Sequence, residues 1–114
     1  MDNVFFTHER DAVAVEEQPV LLADSWRVFE TEAGQLHLSL YLGHAVARLT
    51  SAIEVVDLHA RTLVTASGRR YVLGDAPECD EMKVTAIWTN AVRVLGDVAD
   101  VSNDLWGQVL ATAH

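Results

Sequence analysis

Arg61-Thr-Leu-Val-Thr-Ala-Ser-Gly-Arg-Arg-Tyr-Val-Leu73, continued by Gly74-Asp75-Ala-Pro-Glu78 and an apolar-periodic stretch ending at Gly96, decides the fold class. The runs Arg61–Ala66 and Arg69–Leu73 flank Ser67-Gly68, a pair suited to a two-residue turn, which predicts a hairpin with Val64 facing Tyr71 and Leu63 facing Val72. Both faces of that hairpin carry apolar side chains, as strands from the middle of a sheet do. Asp75 and Glu78 have capping-box spacing, and Pro77 falls in the first turn where its missing N–H costs nothing, so a helix is expected to open there. Val84, Ile87, Trp88, Ala91, Val92 and Leu95 then share one face at helical spacing while Lys83, Thr89, Asn90 and Arg93 face away, and Gly96 is placed to stop the helix in a left-handed conformation.

Upstream the pattern is strand. Val20–Ala23 and Trp26–Glu30 are β-rich, and Thr31-Glu-Ala-Gly34 supplies a reversal. Leu36, Leu38, Leu40 and Leu42 alternate with Gln35, His37, Ser39 and Tyr41, the period of a half-buried strand closed by Gly43. Ala45–Leu49 and Ile53–Leu58 continue across Thr50-Ser51, read equally as a turn or as a bend in one long strand. At the amino end, Val4-Phe5-Phe6 precedes Thr7, which is suited to cap a brief helix; Ala12–Val15 fits strand or helix, and Pro19 ends what precedes it. Downstream, Val98–Val101 predicts an edge strand, and Ser102 caps a last helix with Leu105, Trp106, Val109 and Leu110 on one stripe. The expectation is one α+β domain over residues 1–114, an antiparallel sheet of about four to six strands with two C-terminal helices packed on one face.

Composition supports one globular core: half of the 114 residues are hydrophobic, with two prolines and six glycines. Cys79 is alone, so no disulfide framework is available and a reducing compartment is expected. No signal-like start or membrane-length apolar run is present, which reads as a complete cytoplasmic protein.

Seventeen acidic against eight basic side chains give a net charge of −9. A nucleic-acid surface needs clustered Lys and Arg, and Arg69-Arg70 is the only adjacent basic pair, so direct nucleic-acid binding is disfavoured, as are anionic membranes. An acidic surface suits a protein partner with a basic face, including the nucleic-acid groove of another protein. The carboxylates gather at Asp75, Glu78, Asp80 and Glu81 and again at Asp97, Asp100 and Asp104, beside Trp106, and these are the expected partner-binding residues. Acids at a helix start are themselves explained by capping and the helix dipole.

Chemistry is sparse. The acidic run lacks the ligand spacing of a calcium loop, and histidines 8, 37, 44, 59 and 114 lack zinc spacing. No nucleophile elbow or phosphate-binding glycine loop occurs, and Cys79 beside four carboxylates is a poor candidate nucleophile. No cofactor, metal or catalytic residue is expected. A second reading places a small-ligand or catalytic site on the polar sheet face at His37, Ser39 and Tyr41; a third is a structural homo-oligomer, a homodimer in its simplest form.

Thr65-Ala-Ser-Gly-Arg-Arg-Tyr71-Val-Leu-Gly74, with Trp88-Thr-Asn90 and Asp97–Ser102, resembles small uncharacterised bacterial and prophage-associated proteins that carry a T-x-S-G-x-x-Y-x-L-G segment. The resemblance covers less than half of the chain and brings no activity with it. It implies a mobile-element context, in which small acidic proteins often inhibit host or defence machinery; the similarity to anti-CRISPR inhibitors is one of size and acidity.

Overall fold

The computed structural model describes residues 19–113. The expected features at Val4-Phe5-Phe6, Thr7 and Ala12–Val15 lie outside them. Among the described residues seven strands and two helices follow one another: β1 (Val20–Ala23), β2 (Trp26–Thr31), β3 (Leu36–Gly43), β4 (Val46–Asp57), β5 (Thr62–Thr65), β6 (Arg70–Leu73), α1 (Glu81–Leu95), β7 (Val98–Asp100) and α2 (Ser102–Thr112). The class is α+β, as the sequence predicts. The sheet is larger than expected and mixed, because β1 pairs with β6 in parallel while every other neighbour is antiparallel.

The strand order β1-β6-β5-β4-β3-β2-β7 accounts for the parallel pair. Only Asp24 and Ser25 separate β1 from β2, yet five inter-strand steps lie between them in the sheet. Laid flat, those steps would span about 24 Å, whereas the three Cα–Cα links joining the strands reach at most about 11 Å. The sheet therefore curls until its ends meet at the bent β1–β2 strand. Counting that bent strand as one, β3, β4, β5 and β6 complete a meander of odd number, whose first and last members must run the same way.

The curl gives the sheet an inner and an outer face. Trp26, Val28, Leu38, Leu40, Leu63, Tyr71 and Leu73 point inward and form one core with Leu105 of α2, against which Trp106 packs. Phe29, Ala47 and Leu49 point outward and are covered by Ile87 and Ala91 of α1. Trp26 and Val28 alternate with Phe29 along β2, so the helices pack on opposite faces of the sheet, not on one. This is what lets Val28 and Phe29, adjacent in sequence, both be fully buried.

Local departures from expectation have local causes. The β5–β6 pairing is Leu63↔Tyr71 and Val64↔Arg70, one residue away from the predicted register. Thr65 N–H donates to the Arg69 carbonyl and Gly68 has φ +92°, so the turn is a three-residue loop over Ala66-Ser67-Gly68 with its glycine left-handed. The slip matters because it brings Leu63 and Tyr71 to the same, inner face. Thr50-Ser51 is no turn: β4 runs unbroken from Val46 to Asp57, with a register shift where it changes partner from β3 to β5.

Helix α1 starts later than the Asp75–Glu78 capping box predicts. Its N-cap is Asp80, whose carboxylate accepts from the Lys83 N–H. Asp75-Ala-Pro-Glu78 is instead tied to the β1–β2 bend: the Trp26 indole donates to the Asp75 carbonyl, and the Glu78 N–H donates to the Trp26 carbonyl. Gly96 stops the helix as expected, its N–H returning to the Val92 carbonyl, but at φ +82° and ψ −136° it takes an extended glycine conformation and not the left-handed helical one. Ser102 is not the cap of α2 but its first residue, and its hydroxyl is spent on β2, accepting from the Val28 N–H at 2.8 Å.

Candidate functional site

The expected partner-binding carboxylates divide according to what their neighbours leave free. Glu78 is occupied. Its carboxylate accepts from the Ser25 hydroxyl and the Asp80 N–H, and these two bonds, with smaller help from Lys83 and the Cys79 N–H, hold its carboxyl below the usual glutamate range against the opposing effect of burial. Asp80 caps α1. Asp100 accepts from both the Ser102 N–H and hydroxyl through Oδ1 and pairs with Arg27 through Oδ2 at 2.9 Å. Arg27 also donates to the Glu78 carbonyl, so one guanidinium ties the segment before α1 to the strand before α2. Sequence reading missed Arg27, since nothing local marks a strand arginine as the link between two acidic clusters.

Trp106 is an internal anchor: half-buried, edge-on to Trp26 with ring centroids 6.1 Å apart, and with the Arg61 guanidinium 5.5 Å from its ring centroid. Its ring is committed to the inner core and to a cation, so little of it is left for a partner. Asp75 and Glu81 are exposed, as are Asp97 and Asp104.

Asp97 and Asp104 are brought together with acids that sequence reading overlooked. A cleft of about 390 Å³ opens between α2 and the ends of β2, β3 and β4, walled by Leu36, Val56, Leu58 and Val101 and bordered by Glu30, Asp104 and Gln108. A smaller hollow of about 270 Å³ adjoins it through the shared Glu30 and is lined by Glu32, Asp97, Val98 and Ala99. Glu30, Glu32, Asp97 and Asp104 thus rim one concave region, and none of its described lining residues is a Lys or Arg. Glu30 is an exposed charge facing Ala99 on one neighbouring strand and Leu36 on the other. The signal that could have found it is a carboxylate pair, Glu30 and Glu32, across the predicted reversal.

His37, Ser39 and Tyr41 do not form a common open face. The β3 outer face on which they sit lies beneath α1; Ser39 is fully buried, the His37 Nδ1 donates to the Thr50 carbonyl at 2.9 Å, and the Tyr41 hydroxyl accepts from the Ala45 N–H. Since a carbonyl only accepts, His37 carries its proton on Nδ1.

Among the described residues no group of three or more His, Cys, Asp or Glu is placed to hold a metal ion, and no helix is long and apolar enough to cross a membrane. No family model matches the sequence, and no curated protein or solved structure matches it.

Proposed function

We propose that the protein is a small acidic binding module that receives a basic segment of a partner protein in the cleft between α2 and the ends of β2, β3 and β4. The observation that carries this reading is the pairing of an apolar-walled cleft with a rim of Glu30, Glu32, Asp97 and Asp104 whose described lining includes no Lys or Arg. A partner that seats one aliphatic side chain among Leu36, Val56 and Leu58 while presenting Lys or Arg to the rim satisfies both halves of the site. The carboxylates at Glu78, Asp80 and Asp100 serve the fold and are not part of this surface.

A basic site of a nucleic-acid-handling protein has the complementary charge. A module that fills such a site competes with the nucleic acid for it, which makes the protein an inhibitor in that setting, in keeping with a mobile-element context. The test is equilibrium binding of the peptide Lys-Arg-Leu-Arg-Lys to the full chain. Glu30→Lys combined with Asp104→Lys should weaken it by at least about tenfold, the worth of one or more charge pairs. Glu54→Lys, at an exposed position that lines neither hollow, should weaken it far less. Equal losses from the two variants would mean that net charge alone, and not this cleft, governs association.

A further inference from the structure

A second groove follows the other side of the molecule, between α1 and the start of β4. It encloses about 850 Å³ and is lined by Ala45, Val46 and Ala47 on the strand side and by Glu81, Thr85, Ala86, Thr89, Asn90 and Arg93 among the helix residues. The helix is rotated relative to the sequence expectation: Asn90, predicted to face away, is 6% exposed, while Trp88 and Val92 on the predicted core stripe are 41% and 37% exposed. The Asn90 Oδ1 accepts from the Arg93 guanidinium at 2.6 Å, which fixes the orientation of the amide, since turning it over would set a donor against a donor. That leaves the Nδ2 group, buried and without a partner. A buried amide donor is normally satisfied, so an orphan in the wall of a groove points to an acceptor that arrives from outside.

Three further features describe the acceptor. Arg93 stands beside Asn90, so the groove's carboxyl-terminal end holds two neighbouring donor side chains, one of them cationic. Asp80 and Glu81 stand at the opposite end, about 18 Å away by the rise of the helix. Among the described residues β5 pairs with β4 only from Ile53 onward, so Val46 and Ala47 in the groove wall have β3 on one side and no described strand on the other. An extended segment of about five residues spans the same length and can pair with that edge.

We infer that this groove binds a short extended peptide by its free C-terminus, with the α-carboxylate on Asn90 Nδ2 and Arg93 and a cationic residue at its other end toward Glu81. The inference is independent of the acid-rimmed cleft, which lies at α2 and the opposite end of β4 and shares no lining residue with this groove. A bidentate, charge-assisted grip on a carboxylate is stronger than the neutral bonds an amide would make there. The small floor residues Ala45, Ala47 and Ala86 allow close approach of a backbone without selecting strongly among side chains.

The experiment is affinity selection on the immobilised full chain with pools of random-sequence pentapeptides beginning in Lys, prepared with free C-termini and, separately, as C-terminal amides. The free-acid pool should be retained at least about tenfold better than the amide pool, as expected for loss of a charge-assisted pair. Asn90→Asp keeps the acceptor for Arg93 but replaces the unpaired donor with a second acceptor, and should abolish that preference with the circular dichroism spectrum unchanged. Arg93→Gln, at an exposed position, removes the cationic donor and should likewise weaken retention of the free-acid pool. Equal retention of acids and amides, retention of neither, or displacement of bound peptide by N-acetylalanine at equal concentration, which would mark a site for small carboxylates, would each overturn the inference.

Discussion

Ser102→Ala tests how the C-terminal unit is attached to the sheet. The Ser102 hydroxyl accepts from the Val28 N–H at 2.8 Å and donates to Asp100 Oδ1 at 2.6 Å, and the same Oδ1 takes the Ser102 N–H at 2.9 Å. Asp100 Oδ2 meanwhile holds Arg27 at 2.9 Å, so β2, β7 and the first turn of α2 share one polar network. Val28 and Ser102 are both 0% exposed, and no solvent can replace the lost oxygen. Alanine therefore leaves a buried backbone donor unpaired, at a cost of about 1–3 kcal/mol. For a chain near 100 residues this lowers the melting temperature by roughly 5–15 °C. Scanning calorimetry or urea titration with an unchanged m-value reads the effect directly. Asp100→Asn removes the charge from the same network, so its loss and that of Ser102→Ala should combine non-additively, with a coupling of about 0.5 kcal/mol or more. A Ser102→Ala variant that melts within about 2 °C of the parent would refute the claim that this hydroxyl pins α2 to β2.

Three further outcomes are expected. The β3–β4 turn places His44 at φ 52° and Ala45 at φ 61°, a left-handed pair that Asn-Gly fits far better, so His44→Asn with Ala45→Gly should raise stability by about 1–2 kcal/mol in urea titration. Glu78 has a folded-state pKa below its unfolded value, so its contribution is complete above about pH 4.3 and is lost as pH falls from there through the depressed value. Glu78→Gln should accordingly destabilise at neutral pH and flatten the acid limb of the stability profile, measured by thermal melts across that range. Trp26→Ala, which empties a fully buried site and removes the donor to the Asp75 carbonyl, should cost about 3–5 kcal/mol and redden the tryptophan emission as Trp106 loses its neighbour.

The strands were legible wherever a periodic pattern was backed by a turn residue. Leu38 and Leu40 alternate with Ser39 as a strand with two different faces requires, and Gly34, Gly43 and Gly96 all have positive φ at the ends of the elements they were expected to close. What escaped was set by neighbours distant in sequence. The parallel pairing of β1 with β6 joins Val20 to Arg70 and follows from closure of the meander, which no local window contains. The capping box at Asp75 and Glu78 has the right spacing, but Trp26 and Ser25 take the Asp75 carbonyl and the Glu78 carboxylate, so the helix begins only at Glu81. The hairpin register turned on whether Ala66 belongs to the strand or the loop, a choice made by Gly68 and the Thr65–Arg69 bond.

The candidate sites were legible in charge but not in place. Clustering along the chain singled out Glu78, Asp80 and Asp100, which folding consumes, and Asp97 and Asp104, which it leaves in a concave region with Glu30 and Glu32. Density of carboxylates in sequence does not distinguish an N-cap from a binding rim. That distinction needs the partner of each oxygen. Asn90 shows the converse: as a lone polar residue on a helix it reads as solvated, and only the rotation of α1 that sets Ile87 and Ala91 on Ala47 and Leu49 reveals it as a buried donor without a partner.

The most direct test of the acidic-module account is the association rate of fluorescently labelled Lys-Arg-Leu-Arg-Lys with the full chain, followed by stopped flow as ionic strength rises. Steering by Glu30, Glu32, Asp97 and Asp104 predicts a rate that falls at least about tenfold between roughly 20 and 300 mM salt. The Glu30→Lys, Asp104→Lys variant should start slow and respond little to salt. A wild-type rate indifferent to salt, or a variant that associates as fast as wild type at low salt, would contradict it.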